Sequence, residues 1–406
     1  MSIQTTISSW EQLSETAQKN TSARRVKRPG QAPSTAPIPS SLHKLPPDTK
    51  PTVLLYRDTN SWCPFCERVW FALEEKQIPF ATEFIDLSNK PKWYTDLVPT
   101  TLVPAAKIEG ELVYESKDIL LALEEKFGST LLPEDPNENA VARQWLEDAE
   151  TNGIRDTAYK FLRQAPEDPH ELASLQAAFE AKLDQLEELL GKYPGPYFLS
   201  TFSLVDITYS PHLDRLAANL PAYRGYHIKG NPRYPRINAW FAALKERPAY
   251  QRVRSDDTTN NLLLRRRWGV EPIGNALPLD LETSQEIQFR AEAAERLSDN
   301  REVAIADILK NSGVQALVVD GDISAVREGV EFHLRLLADY LINGNGAPLP
   351  GGRTGGKENS IDSSFAAVGA ITLAYVRNRI CAPRDMSAGA ATAFRAAADK
   401  VLASLY

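Results

Sequence analysis

Thr52-Val-Leu-Leu-Tyr56, then Arg57-Asp-Thr-Asn-Ser-Trp62, then Cys63-Pro-Phe-Cys66-Glu-Arg68-Val-Trp-Phe-Ala-Leu-Glu-Glu75, is the stretch that decides the fold. A short β-rich apolar run leads through a polar loop into a segment with helical character, Arg68 to Glu75. Working outward, Pro79 to Leu87 predicts a second strand with Phe80, Thr82 and Phe84 on one side, and Pro91 to Leu97 a helix or turn. Ala105 to Ile108 and Leu112 to Tyr114 are short strands around the Glu109-Gly110 turn, and Ser116 opens a helix from Lys117 to Phe127. The order is β-α-β-α-β-β-α, an α/β unit whose last two strands form a hairpin.

The whole chain has 406 residues, enough for two to four domains at roughly 100 to 200 residues each. Hydrophobic residues at 43% and charged residues at 24% fit a folded globular protein. Lys plus Arg is 46 and Asp plus Glu 53, a net charge of −7, which disfavours nucleic acid as a partner. No apolar run approaches the roughly 20 residues needed to span a bilayer, and no basic amphipathic helix suggests a membrane surface. No secretory pattern follows Met1, and Glu11 and Glu15 argue against an acid-poor transit peptide. Three cysteines cannot build a disulfide framework, so a reducing, cytoplasmic location is expected.

Residues 1–51 read as a proline-rich arm, with Arg24, Arg25, Lys27 and Arg28 ahead of Pro29, Pro33, Pro37, Pro39, Pro46, Pro47 and Pro51. The α/β unit occupies 52–133. From 134 to 255 strand signals stop: Trp145, Leu146 and Ala149 share a helix face, as do Phe179, Leu183, Leu186 and Leu190. Ser203-Leu-Val-Asp206 has the form of a capping box at the start of a buried helix. A linker is expected at 256–280 and a further helical domain of unknown role at 281–406. In that last domain Ile323, Val326, Val330, Leu334, Leu337 and Leu341 recur at three and four, with more helices at Ala366 to Val376 and Ala390 to Leu405.

Chemistry concentrates at Cys63-Pro64-Phe65-Cys66. Between strand and helix, Cys63 falls at the N-cap and Pro64 at the first helical position, where a missing N–H costs nothing. Free amides and the positive helix end there stabilise a thiolate, which is the reactive form of a cysteine. Cys66, one turn on, either resolves a mixed disulfide on Cys63 or packs as a structural thiol. A zinc site would need two more ligands, and Cys381 with His43, His170, His212, His227 and His333 supplies no suitable spacing; no metal is expected. Gly351 to Lys357 imitates a phosphate-binding loop, but Glu358 stands where Ser or Thr should hold magnesium, so a plain loop is the better reading. His333 and Cys381 read as packed residues and Arg265-Arg266-Arg267 as a solvated or interdomain run.

Taken together, Cys-Pro-Phe-Cys at 63–66, Leu-Ser-Asn-Lys-Pro at 87–91, Leu-Val-Pro at 102–104 and Tyr-Glu-Ser at 114–116 resemble the thioredoxin-like domain of glutathione transferases, cysteine-type members of the omega and lambda kind above all. The all-α region to about residue 255 resembles their second domain. The resemblance implies glutathione as co-substrate, with Cys63 facing its sulfur, Lys90 pairing with its glycine carboxylate and Val103 pairing by backbone ahead of a cis Pro104. Glu115 and Ser116 would hold the γ-glutamyl end, at a helix N-terminus suited to a carboxylate, and Phe65 would line the site. Read from the residues alone, Val103-Pro104 is also an ordinary strand start, Glu115-Ser116 a plain helix cap and Lys90 a solvated loop lysine. Cys66 departs from the lone cysteine of many omega members, and Thr100-Thr101 stands where a glycine often precedes Val-Pro. The Cys-Pro-x-Cys site, the proline-rich arm and the long C-terminal extension together resemble the iota class of photosynthetic organisms.

The expected function is glutathione-dependent thiol transfer or reduction on a small or glutathionylated electrophile, by deglutathionylation or dehydroascorbate-type reduction. The alternatives are a ligand- or partner-binding module on a transferase fold, separable by weak turnover with tight ligand retention, and a Cys63/Cys66 dithiol oxidoreductase. The chain is expected to be a monomer or a homodimer.

Overall fold

The computed structural model describes residues 7–20, 51–151, 154–164, 168–269, 271–273, 287–318, 323–347, 349, 363–405. The proline-rich stretch and the Gly351 to Lys357 loop lie outside them. The chain divides into two units, Ser40–Pro278, and Met1–Pro39 together with Leu279–Tyr406.

In the first unit β1 (Val53–Asp58) is buried along almost its whole length, as a central strand must be. It leads through the Thr59 to Cys63 loop into α2 (Pro64–Glu75) and on to β2 (Phe80–Ile85), which pairs with β1 in parallel from Val53↔Phe80 to Asp58↔Ile85. After α3 (Lys92–Leu97), β3 (Ala105–Ile108) and β4 (Glu111–Tyr114) form an antiparallel hairpin, giving sheet order β2-β1-β3-β4. α4 (Ser116–Lys126) completes this half. Arg57, next to last in β1, is fully buried between the rings of Trp70, 4.2 Å from its guanidinium carbon, and Phe84, 4.7 Å away, and it donates to Ser61 Oγ at 2.8 Å. Two aromatic faces offset the cost of dehydrating its charge.

α2 is buried on nearly every side because it lies between the sheet and the helices that follow. Those are α5 (Pro136–Thr151), α6 (Ile154–Arg163), α7 (Pro169–Leu189), α8 (Leu204–Arg224), α9 (Pro235–Lys245), α10 (Pro248–Val253) and α11 (Asp257–Trp268). The Ser203–Asp206 capping box is present: Asp206 takes the Ser203 amide at 2.9 Å while Ser203 Oγ takes the Val205 amide at 3.2 Å. Asp206 also accepts from Trp240 Nε1 at 2.8 Å, which ties the start of α8 to α9. The stretch 256–280, read from sequence as a linker, contains α11: Asp256 caps it by accepting the Thr259 amide at 2.8 Å, and Gly269 ends it at φ 63°. Polar Thr258, Thr259, Asn260 and Asn261 are buried on it, so its hydrophobic period is missing and the sequence looks like loop.

Among the described residues the second unit is all-helical. Its members are α12 (Ile287–Asp299), α13 (Arg301–Asn311), α14 (Ser324–Asn343), α15 (Ser363–Arg379), α16 (Ala388–Ala403) and, from the far end of the chain, α1 (Trp10–Asn20). The arm read at 1–51 therefore contains a helix, whose Trp10, Leu13 and Ala17 are buried in the same core as α12 and α14. Its signal was in the sequence: the Ser9 amide donates to Gln12 Oε1 at 2.9 Å and the Gln12 amide to Ser9 Oγ at 3.3 Å, a reciprocal cap. α14 runs through the middle with Val326, Val330, Leu334, Leu337 and Leu341 buried, while Ile323 is 41% exposed because it precedes the helix. Gly369 of α15 is required by close approach: a Cβ there would lie 2.3 Å from His333 Nε2. His333 is a core residue, its Nδ1 2.6 Å from the Gly329 carbonyl. Among the described residues no helix is long and apolar enough to cross a membrane.

Candidate active site

The sheet register brings the sequence-derived residues to one edge. Tyr56 of β1 pairs with Ala105 of β3, and Ala105 with Tyr114 of β4, so the loop after β1, residues 103–104 and residues 115–116 leave the sheet at the same end. Cys63 is the N-cap of α2, extended at φ −65° and ψ 115°, with Pro64 in the first turn. Its Sγ lies 3.9 Å from the Val103 carbonyl oxygen. The Val103–Pro104 peptide is cis. Lys90 Nζ donates to the Thr101 carbonyl at 2.9 Å, and the Tyr94 hydroxyl to that of Leu102 at 2.5 Å, so two neighbouring elements hold the loop that faces Cys63. Thr101 has φ +56°, the left-handed conformation that suits glycine. Glu115 caps α4 at φ +70° and is exposed; Ser116 is buried and takes a hydrogen bond from Arg68 Nη1 at 3.4 Å.

Cys63 is 9% exposed and Cys66 1%, and neither is in a disulfide. Burial pushes the Cys66 thiol well above its usual range, and its hydrogen bond with Cys63 and negative charge at Cys63 and Asp58 push the same way. Cys66 therefore stays protonated at neutral pH.

Three residues around this motif carry no local sequence signal. Arg68 of α2 spans three elements, donating to the Thr208 carbonyl of α8 at 3.0 Å, to Ser116 of α4 and to Glu150 of α5 at 2.5 Å. Arg215 of α8 donates to the Trp62 carbonyl at 2.8 Å, to its own Pro211 carbonyl at 2.7 Å and to Glu67 Oε2 at 2.7 Å. Burial pushes the Glu67 carboxyl up to about 7 against the opposing pull of Arg215. His212 meets the Phe65 ring edge-on, with centroids 5.1 Å apart. Burial holds its imidazole well below the usual range, and Arg68, Arg215 and Arg155 add to the effect, so the ring is neutral.

Phe65, Arg68, Glu150, Arg155, Tyr159 and His212 border a cavity of about 620 Å³, part of it open to solvent. Next to Cys63, the Trp62 ring packs on Trp268 of α11 with centroids 5.2 Å apart, and Trp268 on Tyr159 at 5.3 Å. Arg267 lies over Trp62 at 5.6 Å and Arg163 over Trp268 at 4.8 Å. An aromatic wall thus adjoins Cys63, and part of it comes from α11, which occupies part of the stretch 256–280.

Residues 62–126 match the family profile of the glutathione S-transferase N-terminal domain, and 143–243 that of its C-terminal domain. The chain is 32% identical over 200 residues to Protein IN2-1 homolog A of Oryza sativa subsp. japonica, covering 48% of this chain and 78% of the relative. It is 31% identical over 210 residues to glutathione S-transferase L3 of Arabidopsis thaliana, covering 50% and 83%. Among solved structures it is similar to glutathione transferase Omega 3C from Trametes versicolor, with 29% identity, a TM-score of 0.46 and coverage of 54% and 91%. Profile matches in both halves of the first unit, and relatives matched over most of their own length, place the chain in the glutathione S-transferase family.

Proposed function

We propose that the chain catalyses glutathione-dependent thiol transfer through Cys63 by a monothiol route. The observation that carries this reading is the position of Cys63 Sγ, at the N-cap of α2 and 3.9 Å from the Val103 carbonyl, two residues before Phe65, which lines the cavity. The Cys63 thiolate attacks a glutathione mixed disulfide, GS–SR. The S–S bond breaks, RS⁻ leaves, and Cys63–S–SG forms. The thiolate of a free glutathione attacks that disulfide, releasing GSSG and restoring the Cys63 thiolate, so the net reaction is GSSR + GS⁻ → RS⁻ + GSSG, with one free glutathione consumed per turnover. A hydroxyl residue at this position could stabilise the glutathione thiolate but could not form the mixed disulfide.

In this reading Lys90, Glu115 and Ser116 hold the two carboxylate ends of glutathione, and Val103 ahead of Pro104 pairs with its cysteinyl backbone. Phe65 separates glutathione from the acceptor cavity. Burial of Cys66 supports a structural role for it, since a resolving cysteine must present a thiolate. Small aromatic or glutathionylated acceptors suit the Phe65, Tyr159, Trp62 and Trp268 rings; these steps are those of deglutathionylation, whereas dehydroascorbate-type reduction has no S–S bond to break, takes two electrons and two protons from two glutathiones, and shares only the final attack of glutathione on Cys63–S–SG.

The test is turnover of a cysteine–glutathione mixed disulfide by wild type, Cys63→Ser and Cys66→Ser, with intact mass measured after exposure to oxidised glutathione. Activity lost only in Cys63→Ser, with one glutathione adduct on Cys66→Ser, is expected. Activity lost in Cys66→Ser would replace the monothiol route by a dithiol one, and absence of both turnover and adduct in the wild type would overturn the enzyme reading.

A further inference from the structure

We propose that Arg163 of α6 and Arg267 of α11 select acceptors whose non-glutathione half, R of GS–SR, carries an anionic group on an aromatic body. The inference rests on thiol transfer through Cys63 and narrows its substrate class. The matched C-terminal profile ends at residue 243, so α11, which supplies both Arg267 and Trp268, lies beyond it.

Helical spacing sets one half of the arrangement. Arg155, Tyr159 and Arg163 recur every four residues and share one stripe of α6. Arg155 lies 5.8 Å from the Phe65 ring, Tyr159 packs on Trp268 at 5.3 Å and Arg163 lies over Trp268 at 4.8 Å, so the stripe faces the site. From α11, Trp268 packs on Trp62 at 5.2 Å, and Arg267 lies over Trp62 at 5.6 Å. Two guanidinium groups therefore sit on adjoining tryptophans, one of which immediately precedes Cys63. Burial pushes the Tyr159 hydroxyl up, Arg215 and Arg155 oppose it, negative charge at Cys63 adds to it and Arg163 opposes it. Arg163 and Cys63 thus act on one hydroxyl.

The charge on this wall is unbalanced. Of the acids that line the cavity, Glu150 is 2.5 Å from Arg68 and Asp156 is 3.4 Å from Arg155. Arg265 of α11 is held by Glu271 at 3.0 Å. Arg163 and Arg267 are exposed, and among the described residues neither has an acid within ion-pair reach or an acceptor within hydrogen-bond reach. A cation–π contact holds a guanidinium in place without using its N–H donors. Both side chains are positioned and still able to grip a carboxylate with two parallel bonds. Like charges gathered without counter-charge repel one another, so packing alone does not favour the arrangement, whereas an anion bound between them relieves it. The indole and phenol rings supply the surface for an aromatic body.

The test is calorimetric titration of the full chain with S-(4-carboxybenzyl)glutathione and, separately, S-(4-carbamoylbenzyl)glutathione, thioethers that differ by one charge and have no S–S bond to cleave. At low salt the carboxylate should bind about fivefold or more tighter, and high salt should shrink that advantage. Arg163→Gln and Arg267→Gln should each weaken carboxylate binding about two- to threefold, and the double variant should lose the preference. Carbamoyl binding and circular dichroism should stay as in wild type. Equal binding of the two thioethers by wild type, a preference unchanged in the double variant, or binding of neither overturns the proposal. Mixed-disulfide turnover is read separately: a carboxylate preference without turnover would remove the thiol-transfer reading and leave the anion selection standing, whereas turnover without preference would remove the anion selection alone. The wild-type comparison and its salt dependence decide the matter even if a variant does not fold.

Discussion

Arg215 and Glu67 meet at 2.7 Å with side chains only 3% and 4% exposed, and the same guanidinium holds the carbonyl of Trp62, the residue before Cys63. The pair links α2, whose N-cap is Cys63, to α8. A buried pair of this kind fixes geometry more than it adds stability.

Its pH response has a definite sign. Burial raises the Glu67 carboxyl from 4.5 in the unfolded chain to about 7, so between those values the folded state binds more protons than the unfolded one. The Glu67 contribution is complete below about pH 4.5 and falls as pH rises to about 7. Urea unfolding of wild type and Glu67→Gln across that range should show the wild-type advantage shrinking by roughly 1 to 3 kcal/mol, at about 1.4 kcal/mol per unit. A gap that is constant would mean that Glu67 titrates alike in the folded and unfolded chain, and one that widens with pH that the folded carboxyl is lowered rather than raised.

Thr101 is β-branched yet sits at φ +56°, a conformation that costs such a residue roughly 1 to 3 kcal/mol. The Lys90 bond to its carbonyl and its own amide bond to the Val98 carbonyl at 2.9 Å keep it there. Glycine removes the strain and gives back part of the gain as unfolded-chain entropy. Thr101→Gly should therefore stabilise the first unit by about 1 kcal/mol, seen as a higher thermal midpoint. An unchanged or lower midpoint would show that the loop is not strained.

The legible parts of the molecule were those set by local rules. Cys63 at a strand-to-helix junction, Val103-Pro104 at a strand start and Ser203-x-x-Asp206 at a helix start each carry their signal within four residues. Arg68, Arg215 and His212 carry none. Their roles depend on partners 140 or more residues away, such as Thr208 for Arg68 and Trp62 for Arg215. An arginine or histidine on a helix is spelled the same whether it faces solvent or a buried carbonyl. α11 was missed for a different reason: its buried face is made of threonine and asparagine.

The N-terminal helix is a structural member of the C-terminal unit. Trp10 is 6% exposed, lies under Arg301 at 5.8 Å and shares a core with Leu297 and Leu337. Trp10→Ala should cost that unit about 3 to 5 kcal/mol, as large-to-small core changes do. Limited proteolysis should then cut within 287–405 at lower denaturant concentration than in wild type, with mixed-disulfide turnover retained. Unchanged proteolysis would show that α1 is dispensable to the bundle.

The two cysteines of the motif should differ in reactivity more than their spacing suggests. Cys63 ends a loop and opens a helix, whereas Cys66 is almost fully buried and its thiol is pushed well above its usual range by that burial and by the hydrogen bond with Cys63. Since alkylation consumes the thiolate, iodoacetamide at pH 7 should modify Cys63 and leave Cys66 and the buried Cys381 intact, as read by peptide mass mapping. In Cys63→Ser the hydrogen bond and the negative charge next to Cys66 change but its burial remains, so Cys66 should still resist alkylation at pH 7. Rapid labelling of Cys66 in that variant would mean that its thiol reaches solvent, and would reopen a resolving role for it.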